Sequence, residues 1–108
     1  MIYTETSLTV VVVEPNKQPY IKTIEHTLNA IQDIIGGTFE PVPITLDNQL
    51  TYIICNDEGK CIPLPANRPY KWDMIHGTFF VCGYDGREDL CSLTDKQIKQ
   101  ATQMFALN

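Results

Sequence analysis

Leu8-Thr9-Val10-Val11-Val12-Val13 is the stretch that most narrows what this chain can become. β-Branched side chains are stiff at χ1 and suit a pleated strand. Apolar side chains at consecutive positions leave neither face of such a strand fit for water. The run therefore reads as a strand buried on both faces, closed by a turn at Glu14-Pro15-Asn16. With 108 residues, 44% hydrophobic and 19% charged, the chain has apolar content for one core and length for a single domain, 1–108. No uninterrupted apolar run is longer than Val10 to Val13, far short of the roughly 20 residues that a membrane-spanning helix needs. Met1 to Glu5 carries no basic residue followed by an apolar stretch, as an export signal would. The expectation is a soluble cytoplasmic protein with no membrane partner.

Beyond the first turn, Ile21, Ile24, Leu28, Ile31 and Ile35 recur at spacings of three and four, which predicts a helix opening near Pro19 and stopped by Gly36-Gly37. Thr38 to Ile44 is short, apolar at Phe39, Val42 and Ile44, and interrupted by Pro41 and Pro43, so it belongs at a sheet edge. Leu50 to Cys55 reads as a second buried strand. It runs into Asn56-Asp57-Glu58-Gly59-Lys60, a hairpin signal, with Cys61 to Leu64 as the return strand. Met74 to Gly83 reads as the last strand, and Thr94 with Gln97 forms a capping box opening a helix through Ile98, Ala101, Met104 and Phe105. The fold class is α+β: one mixed sheet of about five short strands with two helices packed on it, in the order β-α-β-β-β-β-α. The first helical stripe should face Val10, Val12, Ile53, Phe79 and Val81.

The chemistry of catalysis is not visible. The chain has no glycine-rich phosphate loop, no His-Glu-x-x-His and no Gly-x-Ser-x-Gly. His26 falls on the polar side of the expected helix and reads as a surface histidine. His76 interrupts a strand and reads as partly buried. Cys55, Cys61, Cys82 and Cys91 contain no Cys-x-x-Cys pair and read as reduced structural thiols, so neither a metal nor any other cofactor is expected. Thirteen acidic against eight basic residues, net charge −5, disfavour nonspecific nucleic-acid binding.

Two polar loops are the candidate binding surface: Glu14, Lys17 and Tyr20 on one, Asn67, Arg68, Trp72 and Asp73 on the other, with Asn56, Glu58 and Lys60 nearby. Arginine and tryptophan concentrate at interface centres, and the planar fork of Arg68 suits a carboxylate or phosphate. The plainer reading has Trp72 anchoring its loop to the core while Arg68 pairs with Asp73. If neither loop carries the site, the acidic turn Asp85, Glu88 and Asp89 is next.

Val11-Val12-Val13-Glu14-Pro15, Lys17 and Pro19-Tyr20 resemble the opening of the domain of unknown function 3846 family. In order after them, Gly36-Gly37, Asn56-Asp57-Glu58-Gly59-Lys60, Leu64-Pro65-Ala66-Asn67-Arg68, Gly77-Thr78-Phe79-Phe80 and Ser92-Leu93-Thr94-Asp95 extend the likeness from about Val10 to Phe105. Pro63 stands where the resemblance implies a small, flexible residue. The resemblance implies a small accessory protein of bacteria, their phages and plasmids, with no established activity and no catalytic residue to carry over. The expected function is a non-enzymatic accessory protein that binds and blocks a host protein or protein–nucleic-acid complex in the bacterial cytoplasm, in a counter-defence setting such as inhibition of a CRISPR effector. The alternatives are a sponge for a nucleotide immune signal, a small nucleotide-acting enzyme using Glu14 or Asp73, or a housekeeping module of phage or plasmid replication. Oligomeric state stays open.

Overall fold

Strand β1 (Ser7–Val13) takes an inner position in a sheet, as its two apolar faces require, between β2 (Tyr20–Glu25) and β7 (Phe79–Tyr84). The computed structural model describes residues 6–108, so the Met1 to Glu5 segment read for an export signal lies outside the described residues. The other elements are α1 (Leu28–Ile35), β3 (Phe39–Leu46), β4 (Gln49–Asn56), β5 (Ala66–Tyr70), β6 (Asp73–His76), β8 (Leu90–Cys91) and α2 (Asp95–Met104). The sheet runs in the order β2-β1-β7-β4-β3, β8 pairs with the end of β7, and β5 and β6 form a separate hairpin.

The architecture is α+β with two helices on one sheet. Every pairing among the described residues is antiparallel, where a mixed sheet was expected. Two-residue turns join β3 to β4 and β5 to β6 and a six-residue loop joins β1 to β2, and none gives the long crossover that parallel neighbours need. Two-residue alternation splits the core in two. Leu8, Val10, Val12, Ile54 and Phe80 face Ile24 and the helical residues Ile31 and Ile35. Val11, Val13, Ile53, Phe79 and Val81 face Leu93, Ala101 and Phe105, with Tyr70 and Ile75 of the hairpin packed beside them. The helices thus cover opposite faces. Ile53, Phe79 and Val81, expected under the first helix, lie under α2, where the Phe79 and Phe105 rings meet edge to face at 5.1 Å.

The stripe from Ile21 to Ile35 is not one helix. Tyr20–Glu25 pairs with β1, and the helix is confined to Leu28–Ile35, opened by the Thr27 hydroxyl accepting from the Ala30 N–H at 3.1 Å. Ile21 and Leu28 are each 59% exposed, whereas Ile24, Ile31 and Ile35 are buried. Ile21 and Ile24 are β-branched and enter a strand readily, where their spacing of three puts them on opposite faces, and the pairing offered by β1 overrides the helical spacing. The Gly36-Gly37 stop forms as expected: Gly36 adopts φ 84° and donates to the Gln32 carbonyl. β3 is an outermost strand, as Pro41 and Pro43 imply.

Three further corrections concern turns. Cys61 to Leu64 is not a return strand, because β4 is already flanked by β3 and β7. Instead the segment curls, with Ile62 N–H on the Glu58 carbonyl and Leu64 N–H on that of Gly59. The true hairpin turn is Asp47-Asn48, with φ of 50° and 57°, a two-residue loop of the primed kind that strand twist favours. The strand expected over Met74 to Gly83 breaks at Gly77, whose φ is 82° and whose missing Cβ would sit 2.7 Å from Leu64 Cδ1. The Thr94–Gln97 capping box forms, and Met104 faces outward rather than into the core.

Candidate binding cleft

Asn67 and Arg68 act on backbone, not on solvent. Asn67 Nδ2 donates to the carbonyls of Val13 (2.9 Å) and Gly77 (2.8 Å), and its Oδ1 accepts from Arg68 Nη1 at 2.8 Å. Arg68, only 6% exposed, donates from Nε to the Phe105 carbonyl (2.9 Å) and from Nη2 to that of Lys17 (2.6 Å). Phe105 is the C-cap of α2, where the last carbonyls gather partial negative charge and a cation is favoured. The two side chains join the end of β1, the β1–β2 loop, the Gly77 turn and the end of α2. Each nitrogen of the Arg68 fork has a protein partner, and the expected pairing with Asp73 does not form.

The other half of that loop does the opposite. Tyr70 and Asp73 pair across a two-residue turn, Lys71-Trp72, in which Lys71 adopts φ 56°. Trp72 stands at the tip, 95% exposed, and anchors nothing. The hairpin is held from below by the Tyr70 hydroxyl donating to the Pro43 carbonyl (2.9 Å), and Lys71 Nζ lies 5.5 Å from the Tyr70 ring centroid. Asp73 pairs with Lys60 instead of Arg68, which with the Met74 N–H holds its carboxyl below the usual range.

Between this hairpin and the β3–β4 edge lies a cleft of about 430 Å³, within the size range of small-molecule sites. Val42, Tyr70 and Ile75 give it an apolar lining, and Glu40, Asp57, Asp73, Lys60 and Lys71 give it a charged one. Of the expected site residues, Trp72, Asp73, Asn56 and Lys60 line it. Asn56 is buried and shapes the turn after β4, bonding the Ile35 carbonyl and the Glu58 N–H. Tyr70, Met74, Ile75 and Val42 are lining residues that sequence reasoning missed. Pro65 and Pro69 disguised β5, whose hairpin with β6 brings Tyr70, Met74 and Ile75 there, although Tyr70, Trp72 and Met74 alternate with polar residues.

Glu14, Lys17 and Tyr20 lie elsewhere. The Tyr20 hydroxyl donates to Glu14 Oε2 at 2.8 Å, which together with burial pushes the phenol upward, and Lys17 Nζ lies 3.7 Å from Glu14. Glu14 and Tyr20 border a shallower hollow with Lys22 and Asp33. Arg68 holds the Lys17 carbonyl and so ties the two loops together, while the two hollows have no lining residue in common. In the acidic turn, Asp85 Oδ1 accepts from the N–H groups of Arg87, Glu88 and Asp89, while Asp89 faces His26 at 3.1 Å. His26 thus precedes the helix and is partly buried, not on a helix surface. His76 is partly buried, with Nδ1 2.9 Å from the Leu64 carbonyl. Among the described residues, no three His, Cys, Asp or Glu side chains are grouped to hold a metal ion, and no helix is long and apolar enough to cross a membrane.

Most of the ordered motifs thus map onto joints of one fold: the β1 exit, the helix stop, the Asn67–Arg68 staple and the Gly77 turn. The chain belongs to the family described as Domain of unknown function (DUF3846), whose model matches residues 8–106. No curated protein matches the chain, and no solved structure does.

Proposed function

We propose that this protein works by binding rather than catalysis, that its contact surface is the β5–β6 tip with the cleft beside it, and that it blocks a host component on behalf of a phage or other mobile element. In its specific form the target is a CRISPR effector or another immune protein of the bacterial cytoplasm. The observation that carries the reading is Trp72, wholly exposed on a hairpin braced from below. Indole exposed to water is unfavourable, and tryptophan at the centre of an interface supplies large contact area at low conformational cost. The net charge of −5 suits a basic, nucleic-acid-handling target.

The sponge reading gains from the cleft volume but loses on charge, since Glu40, Asp57 and Asp73 outnumber Lys60 and Lys71 there. Phosphates need the opposite balance. An enzyme using Asp73 or Glu14 would first have to release them from Lys60 or Tyr20. The test is phage infection of cells carrying an active CRISPR effector. Expression of the protein should restore plaques, and Trp72→Ala should reduce that effect about tenfold or more while folding normally. Turnover of any nucleotide by the purified protein, or full protection by Trp72→Ala, would overturn the reading.

A further inference from the structure

The two outer strands of the sheet are treated differently, and the difference concerns backbone groups. At the β3 edge, register fixes which groups point outward. Thr38 accepts from Asp57 N–H across the pair, and the Asp47-Asn48 turn closes on Leu46↔Gln49, so even-numbered residues bond β4 and odd-numbered ones face out. Pro41 and Pro43 are both odd, so two outward donors are missing, and the outward Pro43 carbonyl is taken by Tyr70. That edge is closed to a further strand.

At the β2 edge the same reasoning gives the opposite result. His26 N–H donates to the Thr6 carbonyl at 2.9 Å, so His26, Ile24, Lys22 and Tyr20 bond β1, and Ile21, Thr23 and Glu25 turn their N–H and C=O outward. Among the described residues no proline, bulge or other hydrogen bond occupies those three positions. Nor is the edge shielded by side chains: Tyr20 is 39% and Ile21 59% exposed. An open six-residue edge of this kind is a template for strand pairing.

We propose that a second copy of this chain pairs there, β2 antiparallel to β2, about a two-fold axis through Thr23. The outward residues are symmetric about Thr23, so this register alone uses all three at once: Thr23 faces Thr23, and Ile21 faces Glu25 in both directions. Direct Thr–Thr pairs are favourable in sheets, and Lys22 meets Ile24 rather than its own copy. A register centred one residue earlier would set Lys22 directly against Lys22. Self-complementary two-fold contacts are the commonest way such chains associate. Because β2 and β3 are opposite ends of the sheet order, pairing joins two sheets into one and leaves both clefts free at its far ends.

Light scattering on the purified full chain over a wide concentration range tests this. The expected mass is twice 12.3 kDa at the upper end. Thr23→Pro removes only an outward donor, and Ile21→Lys places a charge at the same edge. Each should return the mass to that of one chain with the melting temperature nearly unchanged. Thr23→Cys should form a 23-to-23 disulfide, identified by peptide mapping, since opposed bonded residues lie within disulfide reach. A wild-type protein that stays single at every concentration, or a double-mass species that survives both Thr23→Pro and Ile21→Lys, would overturn the proposal.

Discussion

The Arg68 guanidinium, which donates to two distant backbone carbonyls and to the side chain of Asn67, works as a joint between segments. Arg68→Ala leaves the Phe105 and Lys17 carbonyls without their donor and should cost about 2–4 kcal/mol in urea denaturation. Arg68→Lys should recover little of it, because one ammonium cannot span what the fork spans. A loss below about 1 kcal/mol would contradict the joint. The thiols differ by burial in the same plain way. Burial pushes Cys55 up to about 11 and raises Cys82 as well, while Cys61 is exposed. Iodoacetamide at neutral pH should therefore modify Cys61 in the folded protein, and Cys55 and Cys82 only on unfolding, as read by mass spectrometry of the peptides. Asp85, like Asp73, contributes a pH dependence. The Arg87, Asp89 and Glu88 amides hold its carboxyl below the usual range. A folded-state pKa below the unfolded value contributes stability that is complete above about 3.9 and lost as pH falls through the lower native value. Asp85→Asn should flatten the fall of melting temperature in that acid window, and an unchanged slope would remove the turn from the account.

Elements explain why Ile21 and Leu28 read as core and are not. A spacing of three and four fits a helix, yet Tyr20-Ile21-Lys22-Thr23-Ile24-Glu25 is also rich in β-branched residues. Locally the two readings are balanced, and the decision comes from β1, whose even-numbered backbone groups need a partner. Leu28→Ala should change stability by no more than about 0.5 kcal/mol, whereas Ile31→Ala and Ile35→Ala should each cost about 2–5 kcal/mol. Equal effects at Leu28 and Ile31 would restore the long helix. Elements with chemistry of their own were legible: the valine run, the glycine stop, the proline edge and the Thr94–Gln97 box. What was not legible depends on distant partners. Asp47-Asn48 carries no glycine, Gly77 breaks its strand because of Leu64, and Pro69 hides β5. The same holds for the candidate site. Trp72 and Asp73 were nameable from residue type, but only the fold separates them from Arg68, which shares their loop and faces the other way.

At the scale of the whole molecule, the sheet has one closed end carrying a braced hairpin and a cleft, and one open end suited to its own copy. The proposed blocking of a large target needs a firm surface more than a deep pocket. The Asn67–Arg68 joint supplies that firmness by tying β5 to the end of α2 and the exit of β1. Trp72 is the only tryptophan in the chain, so it reports on the proposed contact without any label. The direct measurement is its fluorescence with and without a purified CRISPR effector, the proposed target. Free protein should emit as a fully hydrated indole and be freely quenched by acrylamide. On complex formation the emission should shift to the blue and the quenching should be lost. Complex formation, seen by a change in mass, with Trp72 emission and quenching unmoved would contradict the account.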